Sequence, residues 1–170
     1  MPETSEKAPE DICASCRRPK ISTRCEICHS LLCKNCAQFL DASVFSFLKN
    51  VPEDLAHPSY CGLCYDAKVA PALESYSEVM ERAREVGVFY KNERNLPPHR
   101  RSNKMLSVQN CPDRKETLLR LAFFAAEQSC NALVNVDLRS KKIIIGGYQK
   151  TFWNGAGFSA HVFVEKKVKT

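Results

Sequence analysis

The sequence predicts two small folded parts in series, a metal-stabilised finger and then a small α+β domain, on three observations. Eight of the ten cysteines, Cys13, Cys16, Cys25, Cys28, Cys33, Cys36, Cys61 and Cys64, fall into four Cys-x2-Cys pairs near the N-terminus. A strongly capped helix signal opens at Asp113, and β-rich stretches punctuated by glycine follow it. A chain of 170 residues has room for one domain or two small ones. The end of the cysteine crowding at Cys64 marks a boundary. The expected division is a disordered tail over 1–11, a finger over 12–68, a helical connector and basic loop over 69–104, and an α+β domain over 105–170.

The tail is rich in Pro, Glu, Ser and Lys and has too little apolar surface to fold. In the finger, each Cys-x2-Cys pair places two thiolates on one tight turn, where they share a tetrahedral zinc ion. Four pairs make two complete four-sulfur sites, so two Zn²⁺ are the expected cofactors. Four thiolates leave no position for water or substrate, which makes the sites structural rather than catalytic. A segment this small buries little apolar area, so metal binding is expected to supply much of its folding free energy. The N-terminus lacks a basic flank followed by an apolar stretch, and no run approaches the roughly eighteen apolar residues of a membrane span. The expectation is a cytoplasmic chain, peripheral to membranes at most, where dense Cys-x2-Cys pairs mean metal rather than disulfides.

The stretches Cys25-Glu-Ile-Cys28-His-Ser-Leu-Leu-Cys33-Lys-Asn-Cys36 and Cys61-Gly-Leu-Cys64-Tyr65 resemble the FYVE finger. That family has four residues between the second and third pairs, and often an aromatic residue after the last. The resemblance covers about residues 11–68. It implies a treble-clef, cross-brace zinc finger in which Cys13, Cys16, Cys33 and Cys36 hold one zinc and Cys25, Cys28, Cys61 and Cys64 the other. FYVE fingers that bind phosphatidylinositol 3-phosphate carry a basic run around the third cysteine. Here that run is Ile21-Ser22-Thr23-Arg24-Cys25-Glu26, with one cation. The family's N-terminal Trp-x-x-Asp is absent, and Pro58-Ser59-Tyr60 stands where an Arg usually precedes the seventh cysteine. The frame is present and the lipid-reading residues largely are not, so the implied partner is a protein before a phosphoinositide membrane.

Arg17, Arg18, Lys20, Arg24 and Lys34 are the finger's candidate contacts to an anionic ligand. Their ordinary role is to offset the formal charge of −2 on each four-thiolate zinc centre. Cys25-x3-His29-x3-Cys33 also resembles the core of a RING finger, but that reading strands Cys28, and His29 is expected at the surface. Between Cys36 and Cys61, Asp41 is a candidate N-cap for a short helix ending near Pro52. Its apolar residues Val44, Phe45, Phe47, Leu48 and Val51, with Phe39 before them, are expected to pack on the finger or the following domain rather than insert into a membrane.

A second helix is expected from Pro71 to Gly87, and a polar loop over 91–104, which is broken by Pro97 and Pro98. The third helix opens with a capping box of Asp113 and Glu116 and continues through Leu118, Leu121, Ala122, Ala125 and Ala126. Strands are expected over 133–139 and 158–164, with a third within 143–153, separated by Gly146, Gly147, Gly155 and Gly157. Residues 125–138 and 153–162 resemble YbjQ-type bacterial α+β domains, with Asn131 and Ala132 retained where Ser129 and Cys130 replace a Gly-Ala pair. The resemblance implies self-association. Asn131 is expected to take the left-handed conformation at the helix end.

Residues 1–70 carry a net charge of −1 and residues 71–170 one of +7. The basic half makes Arg100, Arg101, Lys104, Lys141 and Lys142 candidate phosphate contacts for nucleic acid, although surplus lysines are commonly a solvated face. Cys111, Cys130, His99 and His161 are expected to be ordinary core and strand residues rather than a third metal site. No Ser/His/Asp set, paired carboxylates, phosphate-binding loop or dinucleotide fingerprint appears, so no enzyme is expected. Together these features point to an adaptor, its finger recognising a protein partner and its α+β domain scaffolding or self-associating.

Overall fold

The computed structural model describes residues 12–163, and the tail over 1–11 lies outside them. The chain divides into two compact units, one ending at Tyr76 and the other beginning at Ser77.

The first unit holds two short antiparallel ladders. β1 (Thr23–Arg24) pairs with β2 (Leu31–Leu32), and β3 (Gln38–Phe39) pairs with β4 (Ser59–Tyr60). The helix expected from Asp41 does not form. Residues 42–47 are successive turns, with the Asp41 carboxylate accepting from both the backbone N–H and the hydroxyl of Ser43. That is the bond an N-cap makes, but the backbone beyond it closes separate three-residue turns, Val44 N–H to the Asp41 carbonyl, Ser46 to Ser43 and Leu48 to Phe45, rather than a continuous helical ladder. These turns still bury Phe45, which meets Tyr76 edge to face at 5.3 Å within a cluster that includes Leu55, Tyr60 and Val69. Phe47 and Leu48 are half-buried, whereas Phe39 is exposed.

The second helix starts earlier than expected. α1 (Gly62–Cys64) leads through a π-helical turn (Tyr65–Val69) into α2 (Ala70–Glu85). Pro71 has no N–H to give the preceding turn, and that turn is widened, with Ala70 donating to the Tyr65 carbonyl. Gly87 begins a strand rather than stopping the helix.

The second unit is one four-stranded mixed sheet with a helix on it. β5 (Gly87–Tyr90), β6 (His99–Cys111), β7 (Ala132–Ile145) and β8 (Tyr148–Val162) lie in the order β5-β7-β8-β6, with β5 parallel to β7. The loop expected over 91–104 is confined to 91–98, because His99 to Arg101 pair with Ala160 to Val162. The three strands expected after the helix are two long ones, joined at Gly146 and Gly147, whose φ angles of 57° and 83° suit a tight hairpin turn.

Gly155 lies inside β8 because α3 (Arg114–Glu127) crosses it. A Cβ there would sit 2.7 Å from Thr117 Cγ2, 2.9 Å from Leu138 Cδ2 and 3.0 Å from Leu121 Cδ1. Gly155→Val is expected to cost about 1–3 kcal/mol by overpacking, read from chemical denaturation followed by Trp153 fluorescence.

Asp113 caps α3 by accepting from the Glu116 N–H at 2.8 Å, while the Glu116 side chain turns to Arg120 instead of completing the box. At the other end Cys130 N–H bonds the Ala125 carbonyl and Ser129 N–H bonds that of Ala126, and Ser129 takes the left-handed conformation at φ 57°. The expectation had assigned that role to Asn131. Its amide instead clamps the end of β8, donating to the Val162 carbonyl and accepting from the Val162 N–H.

Candidate metal centre

The four Cys-x2-Cys turns are built by the local backbone. Arg17 N–H bonds the Cys13 carbonyl and His29 N–H bonds that of Cys25, both at 2.9 Å, and each turn closes with a left-handed residue, Arg17 at φ 62° and His29 at φ 61°. At the last pair the Cys61 sulfur accepts from the Cys64 N–H and so caps α1. His29 is thus a turn-closing residue, exposed and outside the sulfur clusters. Relief of its left-handed backbone in His29→Gly is expected to raise the stability of the zinc-loaded chain by up to about 1 kcal/mol. Denaturation of the loaded chain checks the sign, and loss of zinc would mark His29 as a ligand after all.

Folding gathers the cysteines into two groups, Cys13, Cys16, Cys33 and Cys36 in one and Cys25, Cys28, Cys61 and Cys64 in the other. Within each, one sulfur from every residue lies within 4.8 Å of the rest. Cys16 Sγ lies 3.7 Å from Cys33 Sγ, and Cys28 Sγ lies 3.7 Å from Cys61 Sγ. Four thiolates at about 2.3 Å from a tetrahedral zinc stand about 3.8 Å apart, which the 3.7 Å separation in each group matches. The first and third pairs share one site and the second and fourth the other, so the sites interleave along the chain. The residues present fit two Zn²⁺.

The electrostatics of the clusters suit a divalent cation. Backbone N–H groups of Cys16 and Cys33 hold the Cys13 thiol down at about 6, and the Ser30 hydroxyl and N–H do the same for Cys28. The neighbouring sulfurs of Cys33 and Cys16 push Cys36 up to about 12, and burial, then Cys61, push Cys64 upward. Each group therefore mixes ready thiolates with thiols that crowding keeps protonated until a metal displaces the proton. At neutral pH, zinc binding is expected to release protons from Cys36 and Cys64. Cys13 and Cys28 are thiolates above about pH 6, so affinity should fall more steeply once the pH drops through that value. Calorimetry in buffers of different ionisation enthalpy, with chelator competition across pH, measures both effects.

Beside the first group lies a cleft of about 860 Å³, lined by Arg18, Lys20, Lys34, Ile21, Ser22 and Asn35 together with Cys16, Cys33 and Cys36. Of the cations expected to meet an anionic ligand, Arg18, Lys20 and Lys34 converge there. Arg17 and Arg24 are exposed and outside its lining. Lys34 joins the set only through the fold, since it comes from the third cysteine pair.

In the second unit, Arg101 stacks over the Phe158 ring at 4.7 Å and Arg100 pairs across the sheet with His161. Lys141 and Lys142 pair with Phe152 and Thr151, about nine residues away along β8, or about 30 Å. The basic residues proposed as one phosphate surface are therefore two separate groups. Among the described residues, Cys111, Cys130, His99 and His161 belong to no cluster able to hold a metal, and Cys111 is buried. No described helix is long and apolar enough to cross a membrane. Compared with protein families, curated proteins and solved structures, the chain matches none.

Proposed function

We propose that the chain is a non-catalytic zinc-binding adaptor, in which a FYVE-like cross-brace finger of treble-clef type recognises a protein partner and the α+β unit scaffolds or self-associates. The observation that carries this reading is the cleft beside the first sulfur group, which combines Arg18, Lys20 and Lys34 with Ile21 and Pro19. A bound zinc with four thiolates carries −2, so the three cations leave the cleft only mildly positive. That balance suits an acidic peptide segment with apolar side chains better than a polyphosphorylated headgroup. Arg24, the one cation left from the lipid-reading run, lies outside the cleft lining.

Affinity capture with the zinc-loaded full chain, compared with a Lys20→Glu, Lys34→Glu variant, tests the proposal. A zinc-dependent protein partner retained by the wild type and lost by the variant is expected. Retention of soluble inositol phosphates by the wild type, with no protein captured, favours the phosphoinositide reading that the same three cations also support.

A further inference from the structure

β7 and β8 outrun their sheet. β5 stops pairing with β7 at Val136, and β6 stops pairing with β8 at Trp153, yet β7 and β8 continue from Lys141↔Phe152 to Ile145↔Tyr148 with no further strand paired to them among the described residues. These five pairs and the Gly146-Gly147 turn form a free two-stranded arm, about 20 Å long from Ser140 to its tip. Isolated two-stranded ribbons are marginal in water, and the composition of this one is unusual for a surface on its own.

Its tip is apolar and open. Ile144 is 77% exposed, Ile145 49% and Tyr148 78%. The cations stand behind it, Lys141 and Lys142 on one strand and Lys150 opposite Ile143 on the other, all exposed. Residues 138–154 contain no Asp or Glu. Arg139, at the base, is paired with Asp137 at 2.7 Å.

We propose that this arm inserts its tip into an anionic lipid bilayer surface. Ile144, Ile145 and Tyr148 lie within two residues of the turn, a span of about 7 Å, which falls within the depth of about 5–10 Å to which interfacial elements bury their apolar face. Lys141, Lys142 and Lys150 then stand at the level of the acidic headgroups. Nucleic-acid ribbons can also carry an apolar wedge at the tip, but a wedge enters a single base step, whereas here Ile144 on one face of the ribbon and the Ile145–Tyr148 pair on the other are both exposed, which suits a surrounding acyl phase better. A second copy is disfavoured by the same charges, since two such arms side by side bring six lysines together with no acid between them.

The test is flotation of the zinc-loaded full chain with phosphatidylcholine vesicles, with and without phosphatidylserine. Binding to the acidic vesicles alone is expected. Ile144→Asp with Ile145→Asp should lower it at least tenfold, and Lys142→Gln with Lys150→Gln about twenty-fivefold, or about fivefold per lysine. Tyr148→Trp, which keeps an aromatic tip, should be quenched by brominated acyl chains, and that readout stands even if the aspartate variant folds poorly. The proposal is overturned if the wild type does not float, if the aspartate variant floats undiminished (the finger or another face then carries the binding), or if the introduced indole escapes quenching. It is equally overturned if the arm lysines bind duplex DNA, or the tip drives dimerisation, while vesicles are ignored.

Discussion

Removing zinc with a strong chelator is expected to unfold residues 12–76 while leaving the second unit folded. The first unit has little else to hold it. Of the six residues in the buried cluster around the sulfur groups, four are cysteines of those groups, Cys13, Cys25, Cys33 and Cys61, joined by Leu32 and Ala37. Its strands are two residues long, and its other cluster rests on Phe45, Leu55, Tyr60 and Val69. Structural zinc sites of this kind supply about 10–16 kcal/mol at neutral pH, comparable to the whole stability of a typical domain, about 5–15 kcal/mol. Cys25→Ser should lower bound zinc from two per chain to one or fewer. Because the sites interleave, a loop released at Cys25 also loosens the approach of Cys33 to the first site. Mass spectrometry of metal content and near-ultraviolet circular dichroism read the two effects. A finger that keeps its native spectrum after chelation would refute this account of its stability.

Leu121→Ala is expected to produce the second large effect, confined to the other unit. Leu121 is fully buried on α3, and its Cδ1 atom lies against the backbone of Gly155 on β8. Truncation removes the side chain from a helix–sheet contact that small neighbours such as Ala122, Ala125 and Ala126 cannot refill. Losses of about 2–5 kcal/mol are usual for such cavities, and each kcal/mol lowers Tm by about 4–8 °C in a domain of this size. The variant should still bind two zinc ions with unchanged affinity. If its metal affinity falls together with its Tm, the two units do not fold independently.

Parts of this structure were legible locally. The Asp113 cap needs only its own side chain and the Glu116 N–H three residues on, so the start of α3 follows from adjacent residues. The turn at Gly146 and Gly147 is equally local, since its positive φ values are costly for other residues. Elsewhere local reasoning misled. Asp41 accepts from the Ser43 N–H as a helix cap would, yet only three-residue turns follow it, and the helix end places Ser129, not Asn131, at positive φ because Asn131 is held by Val162, distant in sequence. Gly155 and Gly157 read as punctuation, yet they sit inside β8 because α3 and Val136 press close upon them.

By itself, the sequence determined that eight cysteines sit in four turns of two, enough to complete two tetrahedral sites, and that a capped helix and alternating strands follow. Those features depend on residues a few positions apart. Tertiary structure decided which cysteines converge, and that Lys34 meets Arg18 and Lys20 beside one metal group while Arg24 does not. It also decided that Lys141 and Lys142 stand on a free arm far from Arg100 and Arg101. The physical reason is the same in each case. Charge and ligand geometry act through space over a few ångströms, and only the folded chain sets which distant residues share that space.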